Sequence, residues 1–217
     1  MLCTLFLSAG TDDGVMVARN YVQYFVSSGY PPLREEGPGL LIVRAVPADW
    51  AEGEWSGGTV GREQARNDDC CYGLGNGFFE WNLPLGGADL FKARRLRTLC
   101  EASSHRSDNP QTDANIFPTT LQMWLNDVRI YEAVLRNHPF DARGVLSYLR
   151  GGLGAYGYPV NAVAEGEELR RIAEGITGDK LRLRCTVPAG VLAQGGLTLY
   201  GAECGRLPIC PTVLIEW

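Results

Sequence analysis

Apolar and polar positions alternate with period two through much of the chain, the spacing of strands with one buried and one solvated face. The clearest runs are Gly77-Phe78-Phe79-Glu80-Trp81-Asn82-Leu83-Pro84 and Lys180-Leu181-Arg182-Leu183-Arg184-Cys185-Thr186-Val187, the second ended by Pro188. Residues 94–103 read the same way. Thr119 to Leu125 and Val128 to Leu135, joined at Asn126-Asp127, form a hairpin pattern. Leu40 to Val46 is almost wholly apolar and stops at Pro47, which predicts a central strand covered on both faces. Residues 196–202 and 212–217 close the pattern as strands, and at the front residues 2–8 and 15–27 flank an Asp12-Asp13-Gly14 turn as another hairpin.

Between these runs the pattern fails in three places. Residues 48–77 look like a long excursion, residues 104–118 like a polar loop, and residues 137–158 like a glycine-rich irregular segment with a helical turn at 145–150. Glu165 to Glu174 predicts one short helix, with Gly175 placed to stop it. The fold class expected is all-β: an antiparallel β-sandwich with short helical insertions. The 217 residues suffice for one large sandwich, and 27 Gly with 12 Pro suit many turns. There is no internal repeat.

A net charge of −5 argues against a nucleic-acid partner, which draws affinity from clustered Lys and Arg. Arg94, Arg95 and Arg97 are expected on a solvated face. No stretch approaches the roughly 20 apolar residues that span a bilayer, so no membrane is expected and the chain reads as soluble, cytoplasmic or secreted with its parent protein. Seven cysteines lack paired CxxC spacing, so reduced, partly buried thiols are expected, although Cys204 and Cys210 flank a turn and could come close. His105 and His138 fall in expected loops, no GxSxG is present, and Gly73-Leu74-Gly75-Asn76-Gly77 precedes a strand rather than a helix, unlike a phosphate cradle.

Several patches resemble a known family: residues 77–84, Asp108-Asn109-Pro110-Gln111-Thr112-Asp113, Leu125-Asn126-Asp127-Val128, Asp141-Ala142-Arg143-Gly144-Val145-Leu146-Ser147 and Gly196-Leu197-Thr198-Leu199-Tyr200-Gly201. Together they are similar to the C-terminal accessory domain of some glycoside hydrolase family 2 proteins, a jelly roll of the galactose-binding-like kind. The resemblance implies a jelly-roll β-sandwich over 38–217. Residues 1–37 then look like an opening hairpin that ends a preceding immunoglobulin-like domain. It also implies a sugar-binding or architectural role beside the catalytic domain of a parent enzyme.

Sugar binding needs aromatic faces for the apolar side of a pyranose and planar polar groups for its hydroxyls. The excursion and loops offer Trp50, Trp55, Arg106, Gln111, Asp113, Arg143 and Tyr156 as the candidate carbohydrate site. Trp81 and Trp124, on strands, are expected in the core. A glycosidase would need two facing carboxyls, drawn from Glu80, Glu101, Asp108, Asp113 and Asp141, but the repeated strand–helix units of a (β/α)8 barrel are missing. No cofactor is expected beyond a structural calcium, for which Asp12, Asp13, Asp108, Asp113 and Glu216 are the carboxylates available. Three functions stand open, in this order: a non-catalytic carbohydrate-binding module that targets an attached hydrolase to an oligo- or polysaccharide, a packing domain with no ligand, and a small glycoside hydrolase.

Overall fold

The computed structural model describes residues 34–57, 60–63, 70–105, 118–135, 158–190, 195–201 and 210–217, all within the unit Leu33–Trp217. Residues 1–33 of the opening hairpin expected over 1–37, residues 106–117 of the polar loop expected over 104–118, and residues 137–157 of the segment expected over 137–158 lie outside the described residues. In chain order the strands are β1 (Arg34–Gly37), β2 (Leu40–Arg44), β3 (Glu52–Trp55), β4 (Val60–Glu63), β5 (Cys70–Gly73), β6 (Gly77–Pro84) and β7 (Arg95–His105). There follow β8 (Thr119–Leu125), β9 (Val128–Leu135), β10 (Tyr158–Glu165), β11 (Lys180–Val187), β12 (Gly196–Tyr200) and β13 (Thr212–Glu216), with one α-helix, α1 (Gly166–Glu174), after β10.

Two antiparallel sheets result. The larger runs β1-β2-β13-β7-β12-β5-β4, with β10 on the other edge of β7; the smaller runs β3-β6-β11-β8-β9. Taking β2, β6, β7, β8, β9, β10, β11 and β13 as strands one to eight, the sheets read 1-8-3-6 and 2-7-4-5. That is the order of a jelly roll, two Greek keys folded face to face. The remaining strands widen this frame. The long β7 carries the widening: residues 95–99 pair with β13 and 101–105 with β12, while 95–102 pair with β10.

Alternation decides what each strand buries. Phe79, Trp81 and Leu83 of β6, Leu121, Met123 and Leu125 of β8, and Leu181, Leu183, Cys185 and Val187 of β11 enter one core with Leu41 and Val43 of β2 and Leu96, Cys100 and Ala102 of β7. All of β2 and β13 is buried, the apolar centres of both strands together with Arg44, Thr212 and Glu216 at their ends. The helix adds Leu169, Ile172 and Ala173 from one face.

Several sequence expectations need correction. The excursion at 48–77 contains β3, β4 and β5, each four residues long. Segments such as Glu52-Gly53-Glu54-Trp55 are too short and glycine-rich for a periodic signal and form because neighbours supply their ladders. Arg95 and Arg97 are not on a solvated face. The Arg95 guanidinium is mostly buried and pairs with Glu165 and Glu216, and Arg97 is buried. Cys210 is buried, its Sγ 3.8 Å from the Thr212 hydroxyl, and Cys204, expected near it, lies outside the described residues. Trp81 is in the core, its indole donating to the Val46 carbonyl at 3.0 Å, but Trp124 is on the opposite face of its strand from Met123 and Leu125.

Candidate functional site

Among the site residues expected from sequence, only the two tryptophans are described. Trp55 is 8% exposed and its ring packs on the backbones of Gly73 and Gly77, where an added Cβ would fall 2.1 Å and 2.6 Å from it. Trp50 is half-buried. Both rings tilt onto Phe79, each with centroids 4.9 Å away, and Phe79 in turn meets Trp81 at 6.2 Å. Trp55 therefore presents little of its ring to a sugar. Arg106, Gln111, Asp113, Arg143 and Tyr156 lie outside the described residues.

Among the described residues, the core thiols of Cys100 and Cys185 are poor nucleophiles. Cys71, Cys100 and Cys185 share the core, with Cys100 Sγ 4.0 Å from Met123 Sδ. Burial pushes the Cys185 pKa from 9.0 to about 12, and burial, added to by the nearness of Cys185, Glu101 and Cys71, holds the Cys100 thiol well above its ordinary value. A thiol that stays protonated neither attacks nor ligates. Among the described residues no three His, Cys, Asp or Glu side chains gather to hold a metal ion. Glu216, the one described carboxylate considered for calcium, does not fit that part, because Arg94 at 3.1 Å and Arg95 at 3.8 Å both take its Oε2.

The faces turned away from the core differ sharply. On the larger sheet that face holds Arg44, Arg97, Glu101, Ser103 and Tyr200, all buried, with Ser103 Oγ and Tyr200 Oη 2.8 Å apart. Every one of these side chains is engaged.

The outer face of the smaller sheet is open, and cross-strand register sorts it into two rows. Glu52, Glu80, Arg184, Trp124 and Arg129 stand opposite one another across β3, β6, β11, β8 and β9. Beside them run Glu54, Phe78, Thr186, Gln122 and Glu132 in the same strand order. Opposed side chains in a sheet lie about 5 Å apart, so each row is a continuous strip.

Hydrogen bonds hold the strip's polar groups flat. Arg184 Nε donates to Glu80 Oε2 at 2.7 Å, and its guanidinium lies 4.3 Å above the Phe78 ring. Glu132 Oε2 accepts from both Gln122 Nε2 and Arg129 Nη1 at 2.6 Å, while the Arg129 guanidinium stands 5.8 Å from the Trp124 ring centre. Arg182 reaches Asp127 at 2.9 Å just beyond the rows. The Glu80 side chain is 6% exposed, whereas those of Arg184 and Arg129 are 36% and 48% exposed. A half-open indole thus sits between two guanidiniums whose geometry is set by carboxylates, which is a surface able to offer a ring face and fixed donors to one ligand.

Sequence reasoning missed this strip although its parts were visible. The alternation that sends Phe79, Trp81 and Leu83 inward sends Phe78, Glu80 and Asn82 outward, and Trp124 is out of phase with Leu121, Met123 and Leu125.

No protein-family model matches the chain, and no curated protein matches it. Among solved structures it is similar to a carbohydrate-binding module, CBM36, in complex with calcium and xylotriose, at 6% identity and a TM-score of 0.37, over 81% of this chain and 98% of that one. It is also similar to the Agl-KA catalytic domain at 12% identity and a TM-score of 0.29, over 86% of this chain and 27% of that one. Neither likeness is close enough to transfer a ligand.

Proposed function

We propose that the chain is a non-catalytic carbohydrate-binding domain, an accessory module of a glycoside hydrolase, and that its ligand lies on the outer face of the smaller sheet. The observation that carries this reading is the row in which Trp124 stands between Arg184 and Arg129, with Glu80 orienting Arg184. An indole supplies the platform for the apolar face of a pyranose, and the planar guanidinium and carboxylate groups supply hydrogen bonds to its hydroxyls. The link to a family 2 hydrolase rests on the sequence patches alone. The row needs no cation, so calcium enters this reading only through Asp12, Asp13, Asp108 and Asp113, whose structure is not described.

Affinity gel electrophoresis against a panel of soluble polysaccharides tests the reading, with Trp124→Ala and Arg184→Ala run beside Arg143→Ala and Asp113→Ala. Retardation by one glycan class, lost in the Trp124 and Arg184 variants and unchanged by EDTA, is the expected outcome. Loss confined to the Arg143 and Asp113 variants would move the site to the loops. No retardation on any glycan would leave a packing domain, whose exposed Phe91, at 65%, and Trp217, at 39%, would then be the first surface to probe. Release of reducing sugar that Glu52→Gln or Glu80→Gln abolishes would make the chain a hydrolase.

A further inference from the structure

We infer that the ligand of this face is an uncharged, extended glycan lying across the strands along the row from Glu80 to Arg129, with Trp124 as its central platform. The inference rests on the carbohydrate-binding reading and adds charge, direction and length to it.

Charge comes first. The two rows hold two guanidiniums, Arg184 and Arg129, against four carboxylates, Glu52, Glu54, Glu80 and Glu132. Both guanidiniums are already committed, Arg184 to Glu80 and Arg129 to Glu132. A uronate or sulfate would therefore meet an excess of negative charge. To recruit Arg184 it would have to strip the partner from Glu80, a nearly buried carboxylate, and a buried charge left unpaired is strongly unfavourable. Neutral hydroxyls need no such exchange: the outward N–H groups of both guanidiniums and the remaining carboxylate lone pairs can bond them without breaking a pair.

Direction and length follow from the register. The half-buried indole of Trp124, the half-buried Arg184 and the exposed Arg129 lie in one row perpendicular to the strands, not along a single strand. Neighbouring strands are about 4.8 Å apart, so the three steps from β6 to β9 span roughly 14 Å. That is the reach of several sugar rings in an extended chain, whereas one ring covers only the Trp124 position. Affinity should therefore climb with chain length and level off once the row is filled.

Titration calorimetry on the full chain tests this with neutral linear oligosaccharides, cello-, xylo- and manno-series from two to six units, and with oligogalacturonates of the same lengths. The neutral series that binds is expected to gain at least about tenfold between the dimer and the tetramer and little after it. Its affinity should change by less than about twofold when salt is raised tenfold, since no net charge attraction is used. Trp124→Ala should cost about tenfold or more, with Trp124→Phe partly restoring binding and circular dichroism checking the fold of both. Glu80→Gln, which releases Arg184, should gain affinity for oligogalacturonate. Tighter binding of the acidic series by the unaltered chain, or a neutral affinity independent of length, would overturn the inference while leaving carbohydrate binding standing. An absence of binding to every sugar would overturn both.

Discussion

Asn126 shows how much one side chain can organise. It occupies the turn between β8 and β9 with φ of +52°, a conformation in which an L-residue other than Asn or Asp is strained. Its amide donates to the Ile172 carbonyl at 2.6 Å and accepts from the Arg182 N–H at 3.1 Å, while its own N–H donates to the Arg182 carbonyl at 2.8 Å. The turn, the helix and β11 are therefore joined at a buried point. Asn126→Ala should destabilise the chain by about 2–4 kcal/mol, from two lost buried hydrogen bonds plus strain, and Asn126→Gly should cost less because it relieves the strain. Urea denaturation of both variants checks the order; an alanine variant as stable as the parent, or more stable than the glycine one, would refute it.

At the scale of elements, connections are held by side chains far away in sequence. The turn after β6 places Gly86 at φ +64° and Gly87 at φ +82°, and the N–H groups of both donate to the Asp179 carboxylate at 2.8 Å. Asp179 precedes β11, which pairs with β6, so the carboxylate closes the end of the β6–β11 ladder. Asp179→Ala removes two charge-assisted hydrogen bonds at an exposed site and should cost about 1–3 kcal/mol, read as a lower denaturation midpoint. An unchanged midpoint would show the turn to be held by its backbone alone. The charged cluster of Arg94, Arg95, Glu165 and Glu216 works in the same way at one end of the larger sheet, tying β10, β7 and β13.

For the whole molecule the buried thiols set a pH dependence. Cys100 and Cys185 have folded-state pKa values raised above their ordinary one, so below about pH 9 both states hold the thiol protons and the thiols add no slope. Above that the unfolded chain loses those protons while the folded chain keeps them, so stability falls with rising pH toward about 12 for Cys185. Cys185→Ala lowers stability at every pH through its cavity. Between pH 9.5 and 11 its slope should also be shallower by about one proton, roughly 1.4 kcal/mol per pH unit. Equal slopes for the variant and the parent in paired denaturation series would refute the assignment.

The legible part of this protein was its local chemistry. The runs at residues 77–84, 180–187 and 119–135 had strand period, and the Asn126-Asp127 turn had the right residues, so β6, β11, β8 and β9 were placed nearly to the residue. The apolar run at Leu40 predicted a strand buried on both faces for the same local reason. Short β3, β4 and β5 were not legible, because four residues carry too little pattern and their ladders come from distant partners. The site divided in the same way. Chemistry pointed to aromatic and planar polar residues, but composition drew attention to Trp55, which the sheets bury against Gly73 and Gly77, and to loops outside the described structure. Alternation could turn Trp124 and Arg184 outward, yet only the pairing of β11 with β8 and β6 set them beside each other and beside Glu80. Side-chain direction is a property of one strand and is written along it; adjacency across strands is a property of register, and register exists only once the sheet has formed.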